Sequence, residues 1–461
     1  MSLAASAISE NLRAIVGPQQ VITDSERLRR YLIGGKTPKA AVRPGSDQEV
    51  AEIVRLAFVE KLRLMPTGAG TKRDMNIPVG EYDLALDVGR LDQVVAYDPG
   101  DLTLSVAAGL PLSRLARALA EHQQFLPLAV PFLNRATVGG TIASGVDSPL
   151  RQFYGTVRDY VLGMEFVTGE GQLVKSGGRV VKNVSGYDLH KLMIGSCGSL
   201  GVITKVNFRT FPVVAATRAL LALFASARDA VGMRHRIAQS SLRPLTLEIF
   251  SPVAAQLVFG DLVARGETDP RSAAAREISH WALVVSFAGA GRVLERYERE
   301  LRQFAGGGQV ALLDETSTAG MLARMPEFSP LALASSPAAV VLRMNVLPGE
   351  MVQALGETAF AAANQEVRWA AIARGVGAID FALLPGRDDE ALGRAGRVID
   401  NVFEAFERRA GSVTIRWCAD MWKETTRARK TSRNDLEVMR RIKHTFDPSR
   451  VFAPDPLAAW I

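Results

Sequence analysis

Apolar positions along this chain alternate between helical and strand spacing. Val50, Ile53, Val54 and Ala57 fall on one helical face. In front of them Ser46-Asp47-Gln48-Glu49 reads as a capping box, with Ser46 accepting from the first turn and Glu49 reaching back. That helix ends near Lys61, and 62–65 make a short strand. Further strands are expected at 84–88 and in two hairpins: 91–97 with 102–107 around Asp98-Pro99-Gly100-Asp101, and 160–167 with 172–175 around Thr168-Gly169-Glu170-Gly171. Pro111 suits the first turn of a helix reaching about His122, with Leu112, Leu115 and Leu119 as its apolar stripe. A short helix at 187–194 and a long strand at 200–211 follow, and 8–31 reads as a helical preamble.

From Ala216 the pattern changes. Alanine and arginine rise, and apolar runs at 219–224, 245–250, 281–288, 310–313, 340–346, 367–384 and 412–418 alternate with helical segments ending near Gln239 and at 292–304, 350–364 and 389–408. Repeated units of this kind suggest an α+β domain built on an antiparallel sheet. The stretch 265–276 is polar and reads as an exposed loop, and 434–445 as an amphipathic helix.

At 461 residues the chain is long enough for two or three domains. Its net charge of +7 comes from scattered arginines without a basic stripe or interleaved aromatics, so a nucleic-acid partner is not expected. No run approaches the ~18 apolar residues that span a bilayer, and residues 1–10 lack the features of a signal peptide. A cytoplasmic protein is expected, soluble or peripheral at the inner membrane through a complex. The two cysteines, Cys197 and Cys418, can hold neither an iron–sulfur cluster nor a disulfide framework. Cys197 is read as a small buried filler. His122, His190, His235, His280 and His444 are isolated from one another, so no metal site is expected, and His190 reads as a surface or packing residue.

The candidate chemistry lies in the glycines. Pro66-Thr67-Gly68-Ala69-Gly70-Thr71-Lys72 follows a strand directly, a good place for converging amides and threonine hydroxyls to meet phosphate oxygens. A second glycine loop is Val138-Gly139-Gly140-Thr141, and others are 175–178 and 195–201. The G-x-G-x-x-G of a dinucleotide-binding βαβ unit is missing.

The loop at 66–72 and the stretch 131–212 together resemble the flavin domain of the vanillyl-alcohol-oxidase (PCMH-type) flavoproteins, and within those the FAD-binding subunits of bacterial glycolate oxidases. Thr137 to Gly145, Gly155 to Gly163 and Lys182-Asn183-Val184-Ser185-Gly186-Tyr187-Asp188 carry the likeness, together with the ending Phe446-Asp447-Pro448. In that ending Ala453 and Asp455 replace the usual Asn and Gly, which weakens any expected contact from the tail to flavin. The resemblance implies an α+β protein: an N-terminal helical preamble (1–38), a two-subdomain PCMH-type FAD-binding domain (39–214), an α+β cap with an antiparallel sheet over the substrate side (215–425), and a helix and tail packing back on the FAD domain (426–461).

It also implies FAD held by Pro66, Thr67, Gly68, Ala69, Gly70, Thr71, Lys72, Pro131, Thr137, Val138, Gly139, Gly140, Thr141, Ser144, Gly145, Gly155, Asp159, Lys182, Asn183, Gly186, Tyr187, Gly201, Val202 and Ile203. No His or Cys stands in the 66–72 loop, where covalent relatives attach flavin, so FAD is expected to be non-covalent. The implied activity is oxidation of a small 2-hydroxy acid. Arginines on expected cap strands, Arg343, Arg368 and Arg416, are the candidates for its carboxylate, since guanidinium offers a bidentate fork. No catalytic base is identified. Relatives that bind a divalent metal use a His pair and an H-G-D-G-N segment, both missing here. The expected setting is therefore a complex with a catalytic flavoprotein subunit and an iron–sulfur subunit; the alternative is a free-standing FAD-dependent dehydrogenase or oxidase. A vestigial fold without FAD is disfavoured by the density of glycine loops.

Overall fold

Short apolar runs become the strands of three main sheets in the computed structural model, which describes residues 3–75, 80–180, 186–264, 280–409, 411–427 and 435–453. The first sheet runs Val21–Ile22, Ala40–Val42, Leu84–Asp87, Leu64–Thr67, with its last three strands parallel. The helix Asp47–Val59 buries Val50, Ile53, Val54 and Ala57 against it. Ser46 Oγ accepts from Glu49 N at 3.1 Å as expected, but the Glu49 carboxylate takes the amide of Gly45 (2.7 Å) instead of closing the box on Ser46. The N-terminal preamble is not helical throughout. After the helix Leu3–Val16 the chain lays Val21–Ile22 against Ala40–Val42, because both residues are buried and supply a strand edge.

The second sheet, Val94–Asp98, Thr103–Ala107, Val202–Arg209, Val161–Val167, Leu173–Gly177, joins the two expected hairpins through the long strand between them. The chain's end is stitched back here. Asp447 is 1% exposed; its carboxylate accepts from Val451 N (2.7 Å), Phe452 N (3.0 Å) and Lys443 Nζ (2.5 Å). The backbone beyond it pairs with Leu64, which donates to Val451 O and accepts from Ala453 N. The strand leading into the 66–72 loop is thus held from both sides.

The third sheet is antiparallel and has eight strands: Gln309–Leu313, Thr217–Phe224, Trp281–Ala288, Thr246–Phe250, Trp369–Arg374, Ala378–Leu383, Val340–Asn345 and Ser412–Cys418. One face is covered by Ala227–Gln239, Gly291–Ala305, Met351–Asn364 and Asp389–Glu407. The other is covered by Pro252–Ala264, Glu315–Arg324 and Phe328–Ser335, three helices that periodicity does not announce. Pro252–Ala264 is apolar nearly all round, so it has no stripe to read. This second face also receives Met75, Phe132 and Val146 from the N-terminal half. The outer edge of Ser412–Cys418 is closed by the segment after the first loop, where Cys418 N donates to Asp74 O at 3.0 Å and Met75 bridges Trp417. Among the described residues no helix is long and apolar enough to cross a membrane.

Candidate active site

Two of the predicted cradles do line one groove. A cleft enclosing about 930 Å³, part of it open to solvent, is walled by Pro66 to Lys72 on one side and by Thr137, Gly139, Gly140 and Ser144 on the other, with Gly201, Val202 and Ile203 at its base. The walls nearly touch: a Cβ on Gly68 would stand 2.4 Å from Thr137 Oγ1, so only glycine allows this approach.

The two walls work differently, and the sequence expectation needs correcting for the second. Residues 138–141 are not a loop of open amides. They begin the helix Val138–Ser144, and their N–H groups are taken: Val138 by Leu110 O, Gly139 by Ala108 O, Gly140 by Thr137 Oγ1 and Thr141 by Thr137 O. Gly139 is required because a Cβ there would meet Ala108 at 2.7 Å. In the first loop, by contrast, the amides of Gly68, Ala69, Gly70 and Thr71 find no acceptor among the described residues. Phosphate oxygens would be held by 68–71, while the helix supplies a flat, close wall. The Thr141 hydroxyl is buried there without a hydrogen bond.

Lys72 joins the walls. Its ammonium donates to Pro131 O (3.1 Å) and Thr71 Oγ1 (3.2 Å) and lies over the Phe132 ring. Burial lowers its pKa to about 8, against the opposing pull of Glu327, a residue of the C-terminal half whose carboxylate also accepts from Phe132 N (2.7 Å). A diphosphate beside this ammonium would replace the charge compensation it lacks.

Val138 and Pro131 stand behind the cleft wall rather than in it. Asp159 does not line the cleft: its carboxylate closes a capping box, accepting from Thr156 N (2.6 Å) and Thr156 Oγ1 (2.9 Å) beside Gly155. Gly186 and Tyr187 do not line the cleft, and Tyr187 is 90% exposed. Lys182 and Asn183 lie outside the described residues. Cys197, read as a buried filler, lines the cleft with φ +55°, a backbone conformation uncommon outside glycine. His190 is 3% exposed rather than at the surface, with Nδ1 3.1 Å from Ser176 Oγ, and burial lowers its pKa.

At Ser144–Gly145 and Gly195–Cys197 the cleft meets a chamber of about 870 Å³, part of it open to solvent. Gly145, Asp147, Arg151, Gly155, Arg158, Arg343 and Arg416 are among the residues that line it. Gly145 has φ +56° and abuts Gly195, which is how the backbone turns between the two spaces. Arg343 and Arg416 reach the chamber from neighbouring strands of the third sheet. Arg368 does not. It is exposed just before the strand Trp369–Arg374, roughly 20 Å from the other end of that strand. The residue that joins the cluster is Arg374, at the far end.

Arg343 forms a two-pronged bond to Asp380 (2.6 and 2.9 Å) and a third to Asp147 (3.1 Å). Asp147 also accepts from Arg151 at 2.6 Å. Arg374 lies 3.8 Å from Asp147, 3.7 Å from Asp380 and 3.5 Å from Glu248, and its Nε has no hydrogen bond. Burial works against ionising Asp147, but Arg374, Arg343 and Arg151 together outweigh it and hold its carboxyl down at about 2. Burial pushes Glu248 up to about 7, with Arg374 opposing and Asp147 and Asp380 adding to the rise. Arg416 donates to the carbonyls of Ser144 and Gly145, both at 2.9 Å, and among the described residues no carboxylate lies within 4 Å of it. Burial lowers its pKa, and neighbouring Arg343 lowers it further. The chamber therefore offers a desolvated guanidinium that no carboxylate among the described residues contacts directly, although Asp380 and Asp147 act on it from further away. Among the described residues no group of three or more His, Cys, Asp or Glu has the arrangement of a metal site.

None of Asp147, Arg151, Glu248, Arg374 or Asp380 stood among the sequence candidates. The one signal available, a run of apolar strand residues broken by a charge, is carried equally by many solvated positions.

Residues 38–177 match the FAD binding domain family, and residues 214–457 match the C-terminal domain of FAD linked oxidases. The glycolate oxidase subunit GlcE of Escherichia coli is 39% identical over 36% of this chain and 47% of that protein, so the chain spans about half the length of that relative. The glycolate oxidase subunit GlcD of Bacillus subtilis is 25% identical over 98% of this chain and 97% of its own length. The solved structure of p-cresol methylhydroxylase with substrate bound superposes with a TM-score of 0.76 at 15% identity, covering 100% of this chain and 98% of the other.

Proposed function

Because the chain belongs to the FAD linked oxidases and carries their FAD binding domain, we propose that it oxidises a small 2-hydroxy acid at bound FAD, as the FAD-carrying subunit of a multi-subunit enzyme. The observation that supports this best is that the two spaces adjoin: a cleft with open amides at 68–71 is bordered by Ser144, the next residue, Gly145, borders the chamber, and Arg416 donates to the carbonyls of both.

FAD would be held without a covalent bond by the 66–72 loop, Thr137 to Ser144 and Gly201 to Ile203, and would supply the two-electron acceptor that conversion of a hydroxyl to an oxo group requires. The chain's own residues position the acid. Arg416 would hold the carboxylate, with the positive charge of Arg343, whose three side-chain nitrogens are bonded to Asp380 and Asp147, beside it. Oxidation would remove the carbon-bound hydrogen as a hydride equivalent, which bound FAD would accept, and would release the hydroxyl proton to water at the open side of the chamber. Asp147, fully ionised at neutral pH but clamped by three guanidiniums, orients Arg343 and Arg151 rather than serving as a base.

Electrons leave through a partner. Two cysteines in the whole sequence cannot hold an iron–sulfur cluster, and the chain is similar to two different glycolate oxidase subunits. We assign it, on that basis, to a cytoplasmic complex with a second catalytic flavoprotein subunit and an iron–sulfur protein, peripheral at the inner membrane. Anaerobic titration of the FAD-loaded chain with glycolate, D-lactate and D-2-hydroxyglutarate tests the reading. Bleaching of the flavin band is expected with at least one acid, and re-oxidation by quinone only when the iron–sulfur partner is added. Re-oxidation by quinone with the chain alone would favour the free-standing enzyme, and no bleaching with or without the partners would contradict the proposal.

A further inference from the structure

We propose that the chamber binds its carboxylate ligand together with one proton, and that Glu248 is the residue that takes the proton. The inference rests on the chamber being the substrate side of the flavin site.

Glu248 lies on Thr246–Phe250 and is 2% exposed. Arg374 faces it from Trp369–Arg374, Asp380 from Ala378–Leu383, Arg343 from Val340–Asn345 and Asp147 from the turn after Val138–Ser144. The other neighbouring strand, Trp281–Ala288, sets Val284 opposite it. The carboxyls of Asp147, Glu248 and Asp380 thus share the guanidiniums of Arg151, Arg343 and Arg374, with Arg416 as a fourth cation. Glu248 is the weakest held: its contact is a single 3.5 Å approach to Arg374, whereas Asp380 has two short bonds and Asp147 three cations.

A new anion at Arg416 and Arg343 raises the negative charge of a desolvated cluster. The least stabilised carboxylate then gains a proton most readily, and Glu248 is already poised near neutrality by its burial. Linkage makes the effect reciprocal: if the anion favours protonated Glu248, ionising Glu248 weakens the anion.

Oxamate, a monoanion that flavin cannot oxidise, serves as the probe on the FAD-loaded chain. Calorimetric titration at pH 6, 7 and 8 in two buffers of different ionisation enthalpy gives affinity and proton count together. The affinity is expected to fall about tenfold from pH 6 to pH 8, with net proton uptake near pH 7. Glu248→Gln, neutral and of the same shape, should keep its pH 6 affinity at pH 8 and take up no proton. Wild-type affinity independent of pH, or uptake retained in Glu248→Gln, would overturn the role of Glu248 while leaving the chamber as the substrate side. Absence of oxamate binding at pH 6 would overturn both. A variant-independent check is the infrared band of a protonated carboxyl group, which should grow when oxamate binds wild-type protein at pH 7.5; no such growth would contradict the proposal.

Discussion

Asp147 and Glu248 are carboxyls of one cluster driven to opposite ends of the scale. Each is buried, and what separates them is the number of cations each faces at close range: three for Asp147, one for Glu248. For Glu248 the folded protein holds a proton that the unfolded chain has lost between pH 4.5 and about 7. The unfolded state binds fewer protons in that window, so stability falls as pH rises through it. The loss is on the order of 3 kcal/mol, and Glu248→Gln should remove this slope in urea melts run from pH 5 to pH 8. Asp147 has the reverse sign. Its depressed pKa contributes stability at neutral pH that disappears only as the pH falls toward 2. Asp147→Asn leaves Arg343, Arg151 and Arg374 short of a partner and should cost about 3–5 kcal/mol at pH 7 in the same assay. Lys72 ties stability to the cofactor. FAD favours its ammonium form, so FAD affinity should fall by about tenfold as pH rises from 7 to 9.5. Flavin fluorescence titration measures this, and Lys72→Met should bind more weakly and without that dependence.

Among the elements, those with a clear period could be read off directly: Trp281–Ala288 and Ser412–Cys418 have the bounds their apolar runs suggest. Pro252–Ala264 and Phe328–Ser335 could not, because they are packed between the sheet and the N-terminal half and lack a polar face long enough to mark them. The glycine motifs were legible as a place but not as a mechanism. Gly139 and Gly140 announce a close approach of backbone, and whether their amides are open depends on Ala108 and Thr137, which only the folded chain brings to them. The tail is a second case: Asp447 looks like the end of a helix, yet it organises the strand that feeds the 66–72 loop. Asp447→Ala leaves two buried amides without their acceptor and Lys443 with Ser199 O but no counter-charge in contact, and should cost about 2–4 kcal/mol. Hydrogen exchange should then quicken first along Leu64–Thr67.

At the scale of the whole molecule, the site belongs to neither half alone. Residues from the N-terminal half supply the cleft and Asp147, those from the eight-stranded sheet supply Arg343, Arg374 and Arg416, and the two meet through contacts between positions far apart in sequence. That separation is why the arginine candidates could be named from strand position while their carboxylate partners could not. Arg374, which joins the cluster, differs from Arg368, which does not, in standing at the far end of Trp369–Arg374 rather than just before it.

The proposed chemistry requires the cleft between the 66–72 loop and the helix Val138–Ser144 to be the seat of FAD. Equilibrium titration of flavin-free protein with FAD, comparing wild type with Gly68→Val, measures this most directly, because the added side chain enters the gap between the two walls, where a Cβ already stands 2.4 Å from Thr137 Oγ1. Saturable binding of one FAD per chain by the wild type, weakened by at least about a hundredfold, roughly 3 kcal/mol, in a folded Gly68→Val protein, is the predicted result. Equal affinity in the two proteins would place FAD elsewhere and contradict the account.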